Sequence, residues 1–480
     1  MFETPLDILT EEQVQKIHDQ AMTLLEETGT DVLHPRMLEL LAKQGLAIDG
    51  GRVRWDRAFV MEKVALTPSS FTVRGRNRDR DIHVGGGSQI WTNVGGPPFA
   101  SDLDEGRRSG RLQDHDTLVK LTQATDLLTC VQSGAVEAVE LDVNTRHMDM
   151  DYSTIRWSDK PYIAYGTSGP KARDGIELAA IVHGGHDAIA ETAGIMGVVN
   201  PNSPLIWDFR MVDALMEWAS FNQPVIVTPF LLAGGTAPVS VSGALTIQVA
   251  EALTGVAMAQ IVREGAPAMY GSFFTSLDMR TGSPAFGTPE SVFAVIAGGQ
   301  LARHYGLPFR GGGGLASSNA VDAQAASETQ MMLWATLLAG TDVAMHAAGW
   351  LEGGLVGSFE KFALDLELLG WFRRLREGIG FTDEELALET IQQMGPGGLY
   401  LEAEHTMVHF KEWLPMNPLF LTPDHATWDM SGRTSTEQTA NILWKKLLAT
   451  YEDPGIDPAV DEELQAYMAR RRAEPVVEED

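Results

Sequence analysis

Two glycine-rich segments late in the chain carry the residues best suited to chemistry. Phe309-Arg310-Gly311-Gly312-Gly313-Gly314 sets an arginine beside four glycines, and Met345-His346-Ala347-Ala348-Gly349-Trp350-Leu351-Glu352 gathers a histidine, a tryptophan and a glutamate. Arginine grips a carboxylate through two parallel N–H donors, and glycine lets a group approach the backbone closely. Tyr270-Gly-Ser-Phe-Phe274 and Trp91-Thr-Asn93 add aromatic faces, which attract cations that have no hydrogen to donate. Together these residue types suit a zwitterion bearing a quaternary ammonium and a carboxylate. On this reading Arg310, with His346 beside it, takes the carboxylate. Trp91, Phe274 and Trp350 face the ammonium, and Asn93 or Glu352 completes the pocket. The competing expectation is that Arg310 pairs with an acid of the fold, the aromatics fill the core and His346 is a buried, satisfied imidazole.

Other chemistries find less support. His405 and His409 have helical metal-ligand spacing with Glu402 and Glu404 nearby, but no glutamate follows the first histidine as the zincin signature requires. Coincidence is the better reading, and no protein-bound metal is expected. The Gly311 to Gly314 run lacks the lysine and hydroxyl residue of a phosphate loop, and there is no G-x-S-x-G nucleophile elbow. Cys130 is the only cysteine, so neither a disulfide nor a thiolate cluster for zinc can form. That argues against a zinc enzyme passing betaine methyl to homocysteine.

The 480 residues carry 65 acidic and 36 basic side chains, a net charge of −29. Such a surface repels phosphate backbones, so no nucleic-acid partner is expected. The basic run Arg470 to Arg472 is short and leads into an acidic tail, Glu474 to Asp480, read as a frayed terminus. Met1 to Thr30 has no signal pattern, and the apolar stretch from Met331 to Leu351 is broken by Thr336, Asp342 and His346. A cytoplasmic protein without a membrane span is expected.

The elements that must position these residues are legible as a repeat. Pro161-Tyr-Ile-Ala, Pro224-Val-Ile-Val, Pro267-Ala-Met-Tyr and Pro308-Phe-Arg each start a short apolar strand with a small-residue exit, and Asp342-Val-Ala-Met-His adds another. Most successive starts lie roughly 40 residues apart, the size of one β-α unit, and the longer first gap holds two if a strand lies near Ala193 to Val199. Helices are predicted at Gly243 to Glu264, Pro289 to Tyr305 and Val321 to Ala339, each followed by glycine. The reading is α/β, a (β/α)8 TIM barrel. Seven strands lie between Leu127 and Met345, and an eighth at Gly398 to Ala403 closes the ring. No G-x-G-x-x-G follows the first strand, which disfavours an open doubly wound sheet. Residues 1–105 read as an α+β accessory region of helices and strands, 106–455 as the barrel, and 456–480 as a C-terminal helix and acidic tail. A homo-oligomer is the default expectation.

Eight segments in order resemble the trimethylamine methyltransferase family: Ser101-Asp-Leu-Asp-Glu-Gly-Arg-Arg, Gly234-Gly-Thr-Ala-Pro-Val-Ser, Ala250-Glu-Ala-Leu, Gly306-Leu-Pro-Phe-Arg-Gly-Gly-Gly, Asp322-Ala-Gln-Ala, Ala348-Gly-Trp-Leu-Glu-Gly-Gly, Ser358-Phe-Glu-Lys-Phe, and Gly395-Pro-Gly-Gly with His405-Thr. The resemblance implies a TIM barrel that hands a methyl group from an amine to cob(I)alamin carried by a separate corrinoid protein. It also implies that Gly311, Gly312 and Gly313 give room for that cofactor. Archaeal trimethylamine enzymes of the family carry pyrrolysine, whereas this chain has only standard residues and resembles the branch acting on quaternary amines such as glycine betaine. A quaternary nitrogen already bears the charge that makes it a leaving group, so no general acid is needed. A trimethylamine-type enzyme and a non-catalytic cytosolic betaine-binding protein are the alternatives.

Overall fold

The computed structural model describes residues 4–414 and 416–474. Eight parallel strands form a ring: β1 (Ile90–Asn93), β2 (Val131–Gln132), β3 (Tyr162–Ile163), β4 (Gly197–Val199), β5 (Val225–Val227), β6 (Ala268–Gly271), β7 (Phe309–Arg310) and β8 (Val343–Ala348). A continuous ladder runs β4-β5-β6-β7-β8-β1. β2 pairs with β3, and single parallel bridges, Thr92 to Cys130 and Ile163 to Met196, join that pair to β1 and β4. Each strand is followed by an outer helix: α1 (Leu112–Gln123), α2 (Arg146–Trp157), α3 (Gly169–His183), α4 (Phe209–Ser220), α5 (Val241–Val262), α6 (Pro289–His304), α7 (Ala323–Ala339) and α8 (Phe359–Glu377). This is a (β/α)8 barrel, and the strands are apolar throughout because both faces are covered.

The helices begin where the side chains can cap them. Thr288 accepts from the Ser291 amide with Pro289 in the first turn, and Asp322 accepts from the Ala325 amide. Each satisfies a backbone donor that has no partner within its helix. Gly340, at φ 67°, ends α7 in the left-handed conformation that favours glycine.

The seven strands expected between Leu127 and Met345 are present, but the eighth is not where the sequence reading put it. Tyr400–Glu402, within the expected strand, is an exposed 3-10 turn, and the ring is closed instead by Ile90–Asn93. The reason is pairing: Ile90 lies in register with Val343, and the Trp91 carbonyl accepts from the Thr129 amide at 3.1 Å. The barrel therefore begins inside the stretch assigned to the accessory region, and the boundary at 105 falls after its first strand.

The interior is filled by Ile90, Cys130, Ile163, Met196, Ile226, Met269, Val343 and Met345. The hairpin Phe71–Val73 with Ile82–Val84 packs into the same cluster through Val73, Ile82 and Val84, and Val73 bridges to Ala193 ahead of β4. A hairpin thus plugs the N-terminal end of the barrel and leaves the other end for chemistry.

α5 is apolar all round, and by length and composition it is the one described helix that could cross a membrane. Here it is a core helix, held between the barrel and the N-terminal helices Glu11–Thr23 and Arg57–Val64. The C-terminal helix Pro458–Ala473 returns to α3, where the Tyr467 hydroxyl and Arg471 Nε each donate to Asp174 Oδ1 at 2.6 Å. Two of the three arginines in the basic run are thereby spent on internal pairs, since Arg472 binds Asp149. The tail beyond Glu474 lies outside the described residues.

Candidate active site

A cavity of about 550 Å3 sits over the C-terminal ends of the strands and takes residues from all eight exits, among them Gly95, Gln132, Tyr165, Asn200, Phe230, Phe273, Arg310 and His346. Arg310 ends β7 and is 2% exposed. Its Nη1 donates to the Ser272 carbonyl at 3.0 Å, its Nε faces Met345 Sδ at 3.2 Å, and the guanidinium lies 4.9 Å from the centre of the Phe273 ring. Burial alone pulls its pKa down to about 9, with no countercharge among the described residues. At neutral pH it is still a cation. Leaving a buried charge unpaired costs several kcal/mol, and in a chain so rich in acids the missing partner points to an anionic group on a ligand.

His346 lies next to it on β8, with φ at 59°, a conformation a non-glycine residue holds only when its surroundings demand it. They do: its amide donates to Thr92 Oγ1 at 3.2 Å, its carbonyl accepts from the Gly314 amide at 3.0 Å, and its Nδ1 accepts from the Gly95 amide at 3.2 Å. A backbone amide can only donate, so the proton of the neutral ring is on Nε2. Desolvation, and then the charge of Arg310, hold the imidazole well below its ordinary pKa. His346 is therefore a neutral donor beside a cation.

A buried ion pair ties the two exits together. Lys361 Nζ binds Asp365 Oδ1 and Oδ2 at 2.5 and 2.7 Å and donates to the Gly314 carbonyl at 3.1 Å, while Asp365 Oδ2 accepts from the Gly349 amide at 2.8 Å. Gly314 follows Arg310 and Gly349 follows His346, so α8 grips both loops at once.

The structure brings only part of the expected constellation together. Arg310 and His346 line the cavity. Trp350 stands behind them, 4.6 Å from the His346 ring and 5.8 Å from Phe273. Phe274 points away, into a separate cluster with Leu231, Ala244 and Ala294, and its neighbour Phe273 faces the cavity. Trp91 packs outward against the main core shared with the helical shell. Asn93 is consumed as a staple between β1 and β2, donating to the Gln132 carbonyl at 3.1 Å and accepting from its amide at 2.8 Å. Glu352 is an ion-pair partner of Arg107 at 3.0 Å.

The glycines after Arg310 do not form a cofactor cradle. A Cβ on Gly312 would stand 1.8 Å from Thr336 Oγ1, and one on Gly313, at φ 121°, would stand 2.1 Å from the Met345 carbonyl oxygen. They let the β7 exit pack on α7 and β8, so the chain's own atoms fill the space they leave. His405 and His409 both meet Glu384, at its carbonyl and its carboxylate, 2.9 Å in each case.

Sequence reasoning missed Gln132, Tyr165, Asn200, Phe230 and Phe273. All stand at or just past strand ends, which is the signal that finds them. The Phe230 and Phe273 rings lie 4.9 Å apart and make one aromatic wall.

The wall opposite includes the loop 200–203, anchored from behind by Glu251 of α5. Its carboxyl accepts from Ser203 Oγ at 2.7 Å and from the Leu205 amide at 2.6 Å, and burial pushes its pKa up to about 7. The folded chain holds this proton up to about 7, whereas the unfolded chain releases it near the ordinary value of 4.5. The native state therefore binds more protons across that window and loses stability as pH rises through it. Glu251→Gln should remove a pH-dependent loss of up to about 3 kcal/mol between pH 5 and 7.5. Denaturation of both proteins at the two pH values checks this, and parallel curves would refute it.

With this geometry in view, the fold and site define a barrel enzyme whose mouth binds a small anionic or zwitterionic ligand. The profile of the trimethylamine methyltransferase (MTTB) family matches residues 3–475, and the chain belongs to that family. It is 37% identical over 468 residues to the glycine betaine methyltransferase of Desulfitobacterium hafniense strain Y51, covering 98% of each chain. It is 26% identical to the proline betaine:corrinoid methyltransferase of Eubacterium limosum, over 84% of each chain. It is also 26% identical to the trimethylamine methyltransferase MttB of D. hafniense strain DCB-2, over 84% of this chain and 81% of that one.

Proposed function

We propose that this protein moves a methyl group from glycine betaine or a related betaine to the cob(I)alamin of a separate corrinoid protein, as a cytoplasmic member of the family's non-pyrrolysine branch. The observation that carries the reading is Arg310, a buried cation in the cavity wall with no acid to pair with. A betaine carboxylate supplies the missing charge through two charge-assisted hydrogen bonds, and the neutral His346 adds a donor beside it. Phe230, Phe273 and Tyr165 offer ring faces to the methylated nitrogen, which needs contact but no hydrogen-bond acceptor. No aspartate or glutamate is among the residues lining this cavity. The ammonium is thus held by aromatic faces, and no carboxylate competes for Arg310.

The chain's task is then positioning. Holding the carboxylate and the ammonium at two fixed points leaves one N-methyl directed out of the barrel, and a closed mouth excludes water from it. The corrinoid supplies a two-electron nucleophile. As the methyl carbon is taken, the N–C bond electrons stay on nitrogen, and a neutral tertiary amine leaves without a proton donor.

An anaerobic spectral assay tests this by following loss of cob(I)alamin and gain of methylcobalamin with glycine betaine, other betaines and trimethylamine. Methylation by a betaine and none by trimethylamine is expected. Tight betaine binding without methylation, with the corrinoid protein present, would make the chain a binder. Phe230→Leu, which keeps an apolar wall but removes the ring face, should weaken betaine binding about tenfold by calorimetry. An unchanged affinity would place the ammonium elsewhere.

A further inference from the structure

We infer that the arm between α8 and the helix Thr436–Ala449 is the interface between two copies of this chain. Among the described residues from 379 to 430 only Ala403 and Leu419 are buried. Half of the large exposed apolar side chains of the described residues lie in this short stretch, including Phe381 at 76%, Leu401 at 74% and Met416 at 91% exposed. With about fifteen such side chains at roughly 100 Å2 each, the arm presents on the order of 1,500 Å2 of apolar surface. The largest patch on a typical monomer is about 300–600 Å2. A standard interface needs about 800 Å2 from each partner, and permanent homodimers use more.

The arm's helices say what kind of cover it needs. Asp383–Leu386, Leu388–Met394, Glu404–Trp413 and His425–Met430 have 4, 7, 10 and 6 residues and bury none of them. Helices shorter than about 12–15 residues are marginal in water unless packing holds them. Their stability must come from a surface that is present whenever the chain is folded, and a second copy is the partner always available. A corrinoid carrier that leaves after each methyl transfer would expose the arm once per turnover, a step that rests on the function proposed above. The arm is anchored at both ends and lies outside the barrel ring. Arg376 at the end of α8 donates to the Gly87 carbonyl at 3.0 Å, and Asn441 donates to Glu360 at 2.8 Å.

Sedimentation velocity on the purified full chain, without betaine or corrinoid protein, tests the inference independently of methyl transfer. A dimer or a larger even assembly is expected at micromolar concentration. It should tighten as salt is raised, because the net charge of −29 opposes self-association. Leu401→Asp with Val408→Asp, at residues 74% and 64% exposed, should give a monomer with native circular dichroism in the barrel and an arm cut readily by protease. Val143→Asp, exposed but outside the arm, should leave the assembly intact. A monomeric wild type would overturn the inference and leave the arm to the corrinoid protein or another partner. An assembly unmoved by the paired aspartates would place the interface elsewhere and overturn it equally.

Discussion

Arg310→Ala is expected to weaken glycine betaine binding at least a hundredfold without destabilising the fold. Two charge-assisted hydrogen bonds in a site that water cannot enter contribute about 1.5–3 kcal/mol each, and tenfold in affinity corresponds to about 1.4 kcal/mol. The guanidinium is buried with only the Ser272 carbonyl and Met345 sulfur at its donors, so its removal abolishes a desolvation penalty and breaks no ion pair. The melting temperature should hold or rise. Arg310→Lys should recover only part of the affinity, because an ammonium is a point charge and cannot grip both carboxylate oxygens in one plane. Calorimetry with a quaternary ammonium alcohol that lacks the carboxylate completes the test, since its affinity should be nearly the same for wild type and variant. Betaine bound equally well by Arg310→Ala would remove Arg310 from the site. A large fall in stability would make it a structural residue.

Why Arg310 and His346 were legible while the aromatic wall was not comes down to strand parity. Both residues mark exits by their company, an arginine before four glycines and a histidine before a glycine-tryptophan turn. No such company separates Phe273 from Phe274, and one residue of register decides which enters the cavity and which joins Leu231 and Ala244. The same alternation turns Trp91 outward while Ile90 fills the barrel. β1 was missed as a barrel strand because it lacks the proline that announces the repeat and follows a region of hairpins. The segment chosen in its place, Gly398 to Ala403, has strand-like residues but no neighbour to pair with. The helices fared better, because caps such as Thr288 and Asp322 act locally and need no tertiary information. Asn93 and Glu352 looked like pocket residues by type, and their partners, Gln132 and Arg107, are distant in sequence.

Lys361→Met and Asp365→Asn should each cost the fold about 3–5 kcal/mol, the usual penalty for removing one member of a buried pair. Both side chains are fully buried. Burial pushes Asp365 up to about 6 against the pull of Lys361, and pushes Lys361 down against the pull of Asp365. Each therefore keeps its charge only because the other is there. In Lys361→Met the carboxyl takes up a proton, and in Asp365→Asn the ammonium loses its counterion. The double variant should cost clearly less than the sum of the two, because no charge is left and the asparagine oxygen still accepts from the Gly349 amide. Its function should not recover in step. The wild-type pair pulls the Gly314 carbonyl and the Gly349 amide toward one point, and these belong to the loops that follow Arg310 and His346. A methionine at 361 releases the first, so the double variant is expected to regain stability while binding betaine several-fold more weakly than wild type. Full recovery of both in chemical denaturation and calorimetry would mean that the barrel holds its exits without the pair. Recovery of stability alone would separate what the charge does for the fold from what it does for the site.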